Sequence, residues 1–306
     1  MRSGVLASTL EKDSERMKLH LVDGTYELFR AHFGAPPKKS ASGQEVGATL
    51  GLIRSMMLLL SDPEVTHVAV AFDHVIESFR NKMYKGYKSS AGVDTVILNQ
   101  FALAEKAVAA LGLTVWPMVK FEADDAIATA VVKFKKSRSV EQIVICSVDK
   151  DLTQMALADR VVCWDRRREI LLDENGVTEK FGVSPTSIPD FLALVGDSAD
   201  GYPGIQGWGE KSTATVLAKY KHIETIPTDP KKLAGISAGR ATTLLANLNK
   251  HYADALLFKE LSTLRTDVPL KETLADLKWQ GAYPRLKKLC EELGDTRIPE
   301  RVGKWR

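Results

Sequence analysis

The chain has 306 residues, 44% of them hydrophobic and 26% charged, with no low-complexity tract. These are the values of a folded globular protein with room for one large or two small domains, and they exclude a disordered or fibrous chain. Its net charge is only +3, but residues 1–202 hold 24 basic and 27 acidic side chains while residues 203–306 hold 18 and 12, a C-terminal surplus that fits either nucleic-acid contact or solvated helix faces.

Residues 1–16 carry an apolar run broken by charge within a few positions, too short for a signal-peptide core or a membrane span, and are expected to form a frayed tail before Met17. From Lys18 onward, strand-like and helix-like segments alternate. The expected order is strand 18–22, helix 46–60, strand 66–72, helix 93–111, strand 113–119, helix 122–136 and strand 142–147. That order is the signature of an α/β fold with a mostly parallel central sheet and flanking helices. After residue 162 comes a basic run, Arg166, Arg167 and Arg168, which suits DNA contact or a solvated turn between two strands. Helical periodicity then dominates at 188–195, 211–220, 240–248 and 252–261. The expected domains are therefore an α/β unit at 17–183 and a helical subdomain with a C-terminal extension at 184–306. Trp116, Trp164 and Trp208 read as packing residues.

Acids recur at the turning points of this pattern. Two strands end at Asp23 and Asp73, the third helix opens with Glu122, Asp124 and Asp125, the fourth strand is followed by Asp149 and Asp151, and Asp197 and Asp200 follow the first C-terminal helix. Any one of them suits a turn or a helix cap. As a set they point elsewhere, because ligands of open α/β sheets bind outside the carboxyl ends of the strands. Carboxylates crowded into one crevice repel and raise one another's pKa values, a cost that divalent cations remove. The three cysteines (Cys146, Cys163, Cys290) lack a CxxC spacing and the six histidines form no HExxH or HxxxH pair. Disulfides and zinc are thus not expected, a reducing cytosol is, and the oxygen-rich set fits Mg²⁺ or Mn²⁺. Two such ions about 4 Å apart serve phosphodiester hydrolysis.

The segments LVDGTYELFRAHF (21–33), AFDH (71–74), FEADDAIATA (121–130), SVDKDLTQM (147–155) and VGDSADGYPGIQGWGEKSTA (195–214) closely resemble the bacterial 5′-3′ exonuclease and flap endonuclease family, over roughly residues 18–265. The resemblance implies a PIN-like 5′ nuclease fold with a helix-hairpin-helix type subdomain and a metal-dependent phosphodiesterase acting on DNA with 5′ flaps or free 5′ ends. It implies that all nine acids serve the metals. Asp73 and Asp124 would hold a first ion, assisted by Asp23 and Glu122; Asp149 would bridge to a second position completed by Asp151; Asp125, Asp197 and Asp200 would complete the distal side.

The stretch FRNKMYKGYKSS (79–90) interleaves Arg80, Lys82, Lys85 and Lys88 with Tyr84 and Tyr87. Cations of this kind neutralise phosphates and rings stack on bases. The same pattern also suits a solvated helix with core tyrosines. By resemblance it is an arch at about 79–98, with Arg80 and Lys88 as catalytic candidates and Lys82, Tyr84, Lys85 and Tyr87 as DNA contacts. The family's arginine three residues after the lysine is replaced here by Ala91, which puts rate or flap threading in question.

In PGIQGWGEKSTA (203–214), Gly204, Gly207 and Gly209 permit tight turns whose N–H groups can cradle phosphate, beside Lys211. A purely structural turn is the plain alternative. A P-loop fails on register, since Glu210 separates Gly209 from Lys211 and no strand precedes. The resemblance implies a grip on duplex DNA, often with bound K⁺. The expected protein is a cytoplasmic, monomeric 5′ nuclease of replication and repair, without membrane or nucleotide cofactor and, at this length, without an attached polymerase. A non-cutting paralogue that binds DNA junctions and a PIN-type ribonuclease are the competing readings.

Overall fold

Aliphatic runs without charge, such as the LHLV of the first strand, give strands buried on both faces, which is what a parallel sheet between helices requires. The structure, a computed structural model, describes residues 17–34 and 36–306; the tail expected at 1–16 lies outside them. Strand β1 (Met17–Asp23) leads directly into α1 (Gly24–Gly34), followed by α2 (Gly47–Leu60) and β2 (Val65–Asp73). Two single-turn helices, α3 (Arg80–Met83) and α4 (Thr95–Leu98), precede α5 (Phe101–Ala110), β3 (Thr114–Met118), α6 (Ala123–Phe134) and β4 (Val140–Cys146). Strands β5 (Val161–Asp165) and β6 (Ile170–Leu172) complete a six-stranded sheet in the order β3-β2-β1-β4-β5-β6. All pairings are parallel except β5 with β6.

The chain builds β1, β2 and β3 outward in one direction and then returns to place β4 on the other side of β1. That reversal opens a crevice at the carboxyl ends of β1 and β4, where acids follow the strands. One face of the sheet packs against α1, α2 and α5, with Val70, Phe72, Leu52 and Met56 at its centre. The other packs against α6 through Leu19, Leu21, Ala69 and Ile127.

The helix expected over 93–111 is two helices. Gln100 breaks the run by turning its side chain to α2, where it accepts from the N–H and Oγ1 of Thr49 at 3.0 and 3.2 Å. The arch expected at about 79–98 is mostly turn, with helix only in α3 and α4.

Helices α7 (Glu174–Phe181), α8 (Ile188–Val195), α9 (Glu210–Tyr220), α10 (Ala238–Lys250) and α11 (Tyr252–Ser262) share a separate core of Phe191, Leu194, Val216, Leu244 and Phe258. Residues 264–306, with α12 (Leu274–Leu277), α13 (Arg285–Glu292) and α14 (Arg297–Glu300), leave that body. They return to the sheet domain: Leu264 and Leu277 join the α6 side, and Leu286, Leu289 and Ile298 join the α2 side. Among the described residues no helix is long and apolar enough to cross a membrane. Cys146, Cys163 and Cys290 are free and buried.

Candidate active site

Asp23 and Asp73 end adjacent parallel strands and so sit side by side. Each is tied by local hydrogen bonds that the strand-to-helix turns supply. Asp23 Oδ1 caps α1 by accepting from the N–H of Tyr26 at 2.8 Å, and its Oδ2 accepts from Ser147 Oγ at 2.9 Å. Asp73 Oδ1 accepts from the N–H of Ala123 at 2.7 Å, which draws the N-terminus of α6 onto β2. Asp124, on the first turn of α6, is buried, and its carboxylate makes no hydrogen bond among the described residues. Asp149 follows β4 at the exposed mouth of the crevice and accepts from the N–H of Asp151 at 2.9 Å. From the helical body, the turn after α8 brings in Asp197 and Asp200, closed by hydrogen bonds between Asp197 and Tyr202.

The electrostatics show how closely these groups are gathered. Burial, reinforced by Asp73 and Asp149, lifts Asp23 to about 7. Burial lifts Asp73 to about 6, with Glu122 adding to it and Lys88 opposing. Asp124 is driven well above the carboxylate range by burial, then by Asp149 and Asp23. Asp151 is driven up in the same way by burial, Asp149 and Asp200, and Asp200 by burial and Asp149. Carboxylates held in such proximity repel and retain protons.

Lys88 lies within this field. Its Nζ stands 2.9 Å from Glu122 Oε2 and 3.1 Å from Asp200 Oδ1, so one cation bridges the α/β domain and the helical body. Lys150 pairs with Asp197 at 2.6 Å on the outer side. Glu122 is the exception among the acids: burial would raise it, but Lys88, Arg80 and the hydroxyl of Ser78 hold it below its ordinary value.

The donor set fits hard divalent cations. It is all oxygen, its members are short of countercharge, and the buried Oδ1 of Asp151 has no hydrogen-bond partner. Among the described residues no three such side chains crowd one point closely enough to chelate an ion unaided. Mg²⁺ does not need them to, since it keeps several waters and takes one or two carboxylates.

The chain matches the model of the 5′-3′ exonuclease N-terminal resolvase-like domain over residues 18–182 and that of the 5′-3′ exonuclease C-terminal SAM fold over residues 183–285. It belongs to the 5′-3′ exonuclease family. Similar proteins include DNA polymerase I of Bacillus subtilis, 31% identical over 296 residues, covering 95% of this chain and 33% of that protein. Another is DNA polymerase I of Rhizobium leguminosarum, 34% identical over 295 residues, covering 93% of this chain and 28% of that protein. The chain thus spans about a third of the length of these curated relatives. Its fold resembles that of bacteriophage T5 flap endonuclease in a pseudo-enzyme-product complex with DNA and metal ions. That likeness has a TM-score of 0.64 at 18% identity, over 91% of this chain and all of that one. The catalytic core of Rad2 with DNA substrate is also similar, at TM-score 0.60 and 14% identity over 94% and 91% of the two chains.

In this member of the 5′-3′ exonuclease family, one of the nine expected acids, Asp125, is set apart from the others by its hydrogen bonds. It is fully buried, its oxygens accept from Arg80 Nη1 and Nη2 at 2.8 Å each, and they take the N–H groups of Glu122 at 3.0 Å and Arg265 at 2.9 Å. No lone pair is left for a metal. Arg80, expected to be catalytic, is likewise corrected. Its side chain is 1% exposed, and Nε donates to the carbonyl of Leu261 at 2.7 Å and Nη2 to that of Thr263 at 3.2 Å. It clamps the start of the arch to α6 and to the end of α11.

Tyr87 is also no stacking face: it is buried, and its hydroxyl donates to Glu122 Oε2 at 3.1 Å. Tyr84 is partly buried with its ring edge on Phe258 of α11, 5.6 Å between centroids. Both tyrosines follow the core reading that the sequence also allowed. Lys82 and Lys85 remain exposed. Arg166 is not part of a solvated basic run, because its side chain is 7% exposed and pairs with buried Glu27 at 3.1 Å; Arg167 and Arg168 are exposed.

Ser147 and Ser78, which hold Asp23 and Glu122, were not singled out by sequence. Ser147 stands inside the SVDKD segment at the end of a strand, which is the signal that could have found it.

In the glycine-rich loop, Gly204 has φ +71, and a Cβ there would stand 2.4 Å from the N of Gly196. Gly207 has φ +87. Gly209 carries neither constraint and opens the exposed N-terminus of α9, with Lys211 exposed on its first turn.

Proposed function

We propose that this chain is a structure-specific 5′ nuclease that hydrolyses DNA phosphodiesters at 5′ flaps and free 5′ ends, in replication or repair, with Mg²⁺ or Mn²⁺. The observation that carries this reading is the mutual crowding of buried carboxylates (Asp23, Asp73, Asp124, Asp151 and Asp200, with Asp149 among them) at the switch point of the sheet, where Lys88 bridges Glu122 and Asp200. Bound divalent ions supply the countercharge these groups lack, polarise a water and stabilise the leaving oxygen. Asp73 and Asp124 would take one ion, with Asp23 and Glu122 acting through its waters; Asp149 and Asp151 would take a second, with Asp197 and Asp200 on its outer side through water.

The remaining residues orient and exclude. Ser78, Tyr87 and Arg80 fix Glu122 so that it cannot turn out of the crevice. Lys88 provides a positive charge where a phosphate would enter, and the arch that carries it covers the site. Lys82 and Lys85 offer phosphate contacts along that arch. The N-terminus of α9 with Lys211 offers N–H groups and charge to duplex phosphates, and loop carbonyls next to it suit K⁺. The chain acts as a monomer and uses no nucleotide cofactor; its glycine loop follows a turn, not the strand that a P-loop follows.

A labelled 5′-flap duplex in Mg²⁺, cut by the wild-type chain and by Asp124→Asn with Asp149→Asn, tests the reading. Equal cleavage by both would sink it. The Ala91 departure favours a second reading, a protein that binds junctions without cutting, and flap binding in Ca²⁺ without cleavage in Mg²⁺ would select it.

A further inference from the structure

The arch segment starts on one face of the sheet and ends on the other. Its first foot is locked to α6 by Arg80 and Asp125. Its second foot is held to α1 by Asp94 and His32 at 3.4 Å, and to α2 by Gln100 and Thr49. It therefore crosses the carboxyl edge of the sheet near β2. A strand that entered beneath it from the β4 side and followed the strand order would leave over β3.

On that exit side two loops are zipped together: the N–H of Val75 donates to the carbonyl of Met118 at 3.2 Å, and that of Phe79 to the carbonyl of Lys120 at 3.0 Å. They carry Phe79 and Phe121, partly buried and edge to face at 6.1 Å. The guanidinium of Arg265 lies over both rings at 5.6 and 5.7 Å and is oriented by Asp267 at 2.8 and 2.5 Å. Lys120 and Val119 are exposed beside them, Val119 at 56%, and Lys82 extends from the same foot. The acids next to this rim are already engaged, Asp267 with Arg265 and Glu105 with His74.

We propose that Phe79, Phe121 and Arg265, with Lys120, form a platform for the unpaired 5′ strand of DNA after it has passed the arch. The proposal rests on the 5′ nuclease reading. The two rings are covered by Arg265 and, on Phe79, by Arg80 at 4.6 Å, so they back the guanidinium of Arg265, whose outward face stacks on bases without regard to sequence while the flanking lysines neutralise the strand's phosphates. Such a surface continues the catalytic crevice outward and gives the half-buried rings and the exposed Val119 beside an acidic site a partner.

The test uses the whole chain with two double variants, Phe79→Leu/Phe121→Leu, which keeps apolar volume, and Lys120→Glu/Arg265→Ala, which keeps the backbone bond of Arg265. KM for a 5′ flap of about ten nucleotides should rise about tenfold, while cleavage of a one-nucleotide flap by the same variants stays at the wild-type value. Anisotropy binding of both substrates without divalent metal should show the same length dependence, independently of cleavage. Equal effects on short and long flaps, or none on either, would overturn the platform. A wild-type chain that binds long flaps better than short ones but cuts neither would remove the nuclease reading and leave the platform standing.

Discussion

Asp124 and Asp125 are consecutive residues on one helical turn, yet they belong to electrostatically opposite regions. Asp124 looks into a crevice where like charges gather and burial drives its pKa up. Asp125 looks into the base of the arch, where Arg80 meets it in two hydrogen bonds and every lone pair is satisfied. The crevice keeps its acids short of countercharge, which is unfavourable until cations arrive. The arch base neutralises its own, which fixes geometry. A carboxylate in a motif is thus a ligand or a brace according to whether a buried cation faces it.

Removing two crevice acids should have the largest effect. Asp124→Asn with Asp149→Asn is expected to reduce flap cleavage about a thousandfold, since metal catalysis contributes several kcal/mol of charge stabilisation. The same variant should raise the melting temperature of the metal-free protein, because it relieves repulsion. Lower stability together with full cleavage would erase the contrast between the two regions.

Asp125→Asn is the reverse experiment. Removing the charge of one partner of a buried pair leaves Arg80 with only the longer ionic contact to Glu122 at 3.3 Å, and the expected loss is about 3 kcal/mol by urea unfolding. Mn²⁺ affinity, measured by calorimetry on the folded variant, should match the wild type. A weakened metal site with unchanged stability would return Asp125 to the ligands.

Much of this contrast was legible in the sequence, but unevenly. Strand ends carry their acids outward to one edge by the geometry of parallel β-strands, so Asp23, Asp73, Asp149 and Asp151 could be placed from hydrophobic runs alone. The helical body was equally readable, because α8 to α11 repeat apolar residues at helical spacing. What sequence could not show was direction at helix starts and arch feet. Asp124 and Asp125 differ by about 100° around α6, and only the fold decides which faces Arg80. Tyr87 reads as a DNA contact and Arg80 as a catalytic cation because their chemistry suits DNA; the packing of α11 against the arch base is a tertiary fact with no local signal. Gln100, likewise, breaks a helix by reaching a partner 51 positions away.

Acidity should expose the crowding of the crevice. For Asp23, raised to about 7, and Asp73, raised to about 6, the folded state binds protons that the unfolded state has released. Stability of the metal-free protein therefore falls as pH rises from about 4 to about 7. Glu122, held below its ordinary value, acts oppositely, but its window lies beneath 4.5. The melting temperature without metal should thus drop by several degrees across that range, and saturating Mg²⁺ should flatten the curve. A metal-free protein equally stable at pH 5 and pH 7.5 would contradict the crowding of the crevice.

The smallest expected effect lies outside both regions, at the N-terminus of α9. Lys211 is exposed, pairs with no acid among the described residues, and lies on the first turn of α9 beside its N-terminal N–H groups. A lysine that neutralises one duplex phosphate releases about one counterion, so Lys211→Ala should lower the slope of log binding against log salt by about 1. Affinity at moderate salt should fall only a few-fold, uniformly across sequences, with metal affinity and melting temperature unchanged. Because stability and metal binding do not move, a flattened salt slope can be assigned to the loop and not to the crevice. An unchanged slope would leave Gly204 and Gly207 as turn formers and Lys211 as a solvated side chain, and would shift the duplex grip to other cations of the helical body.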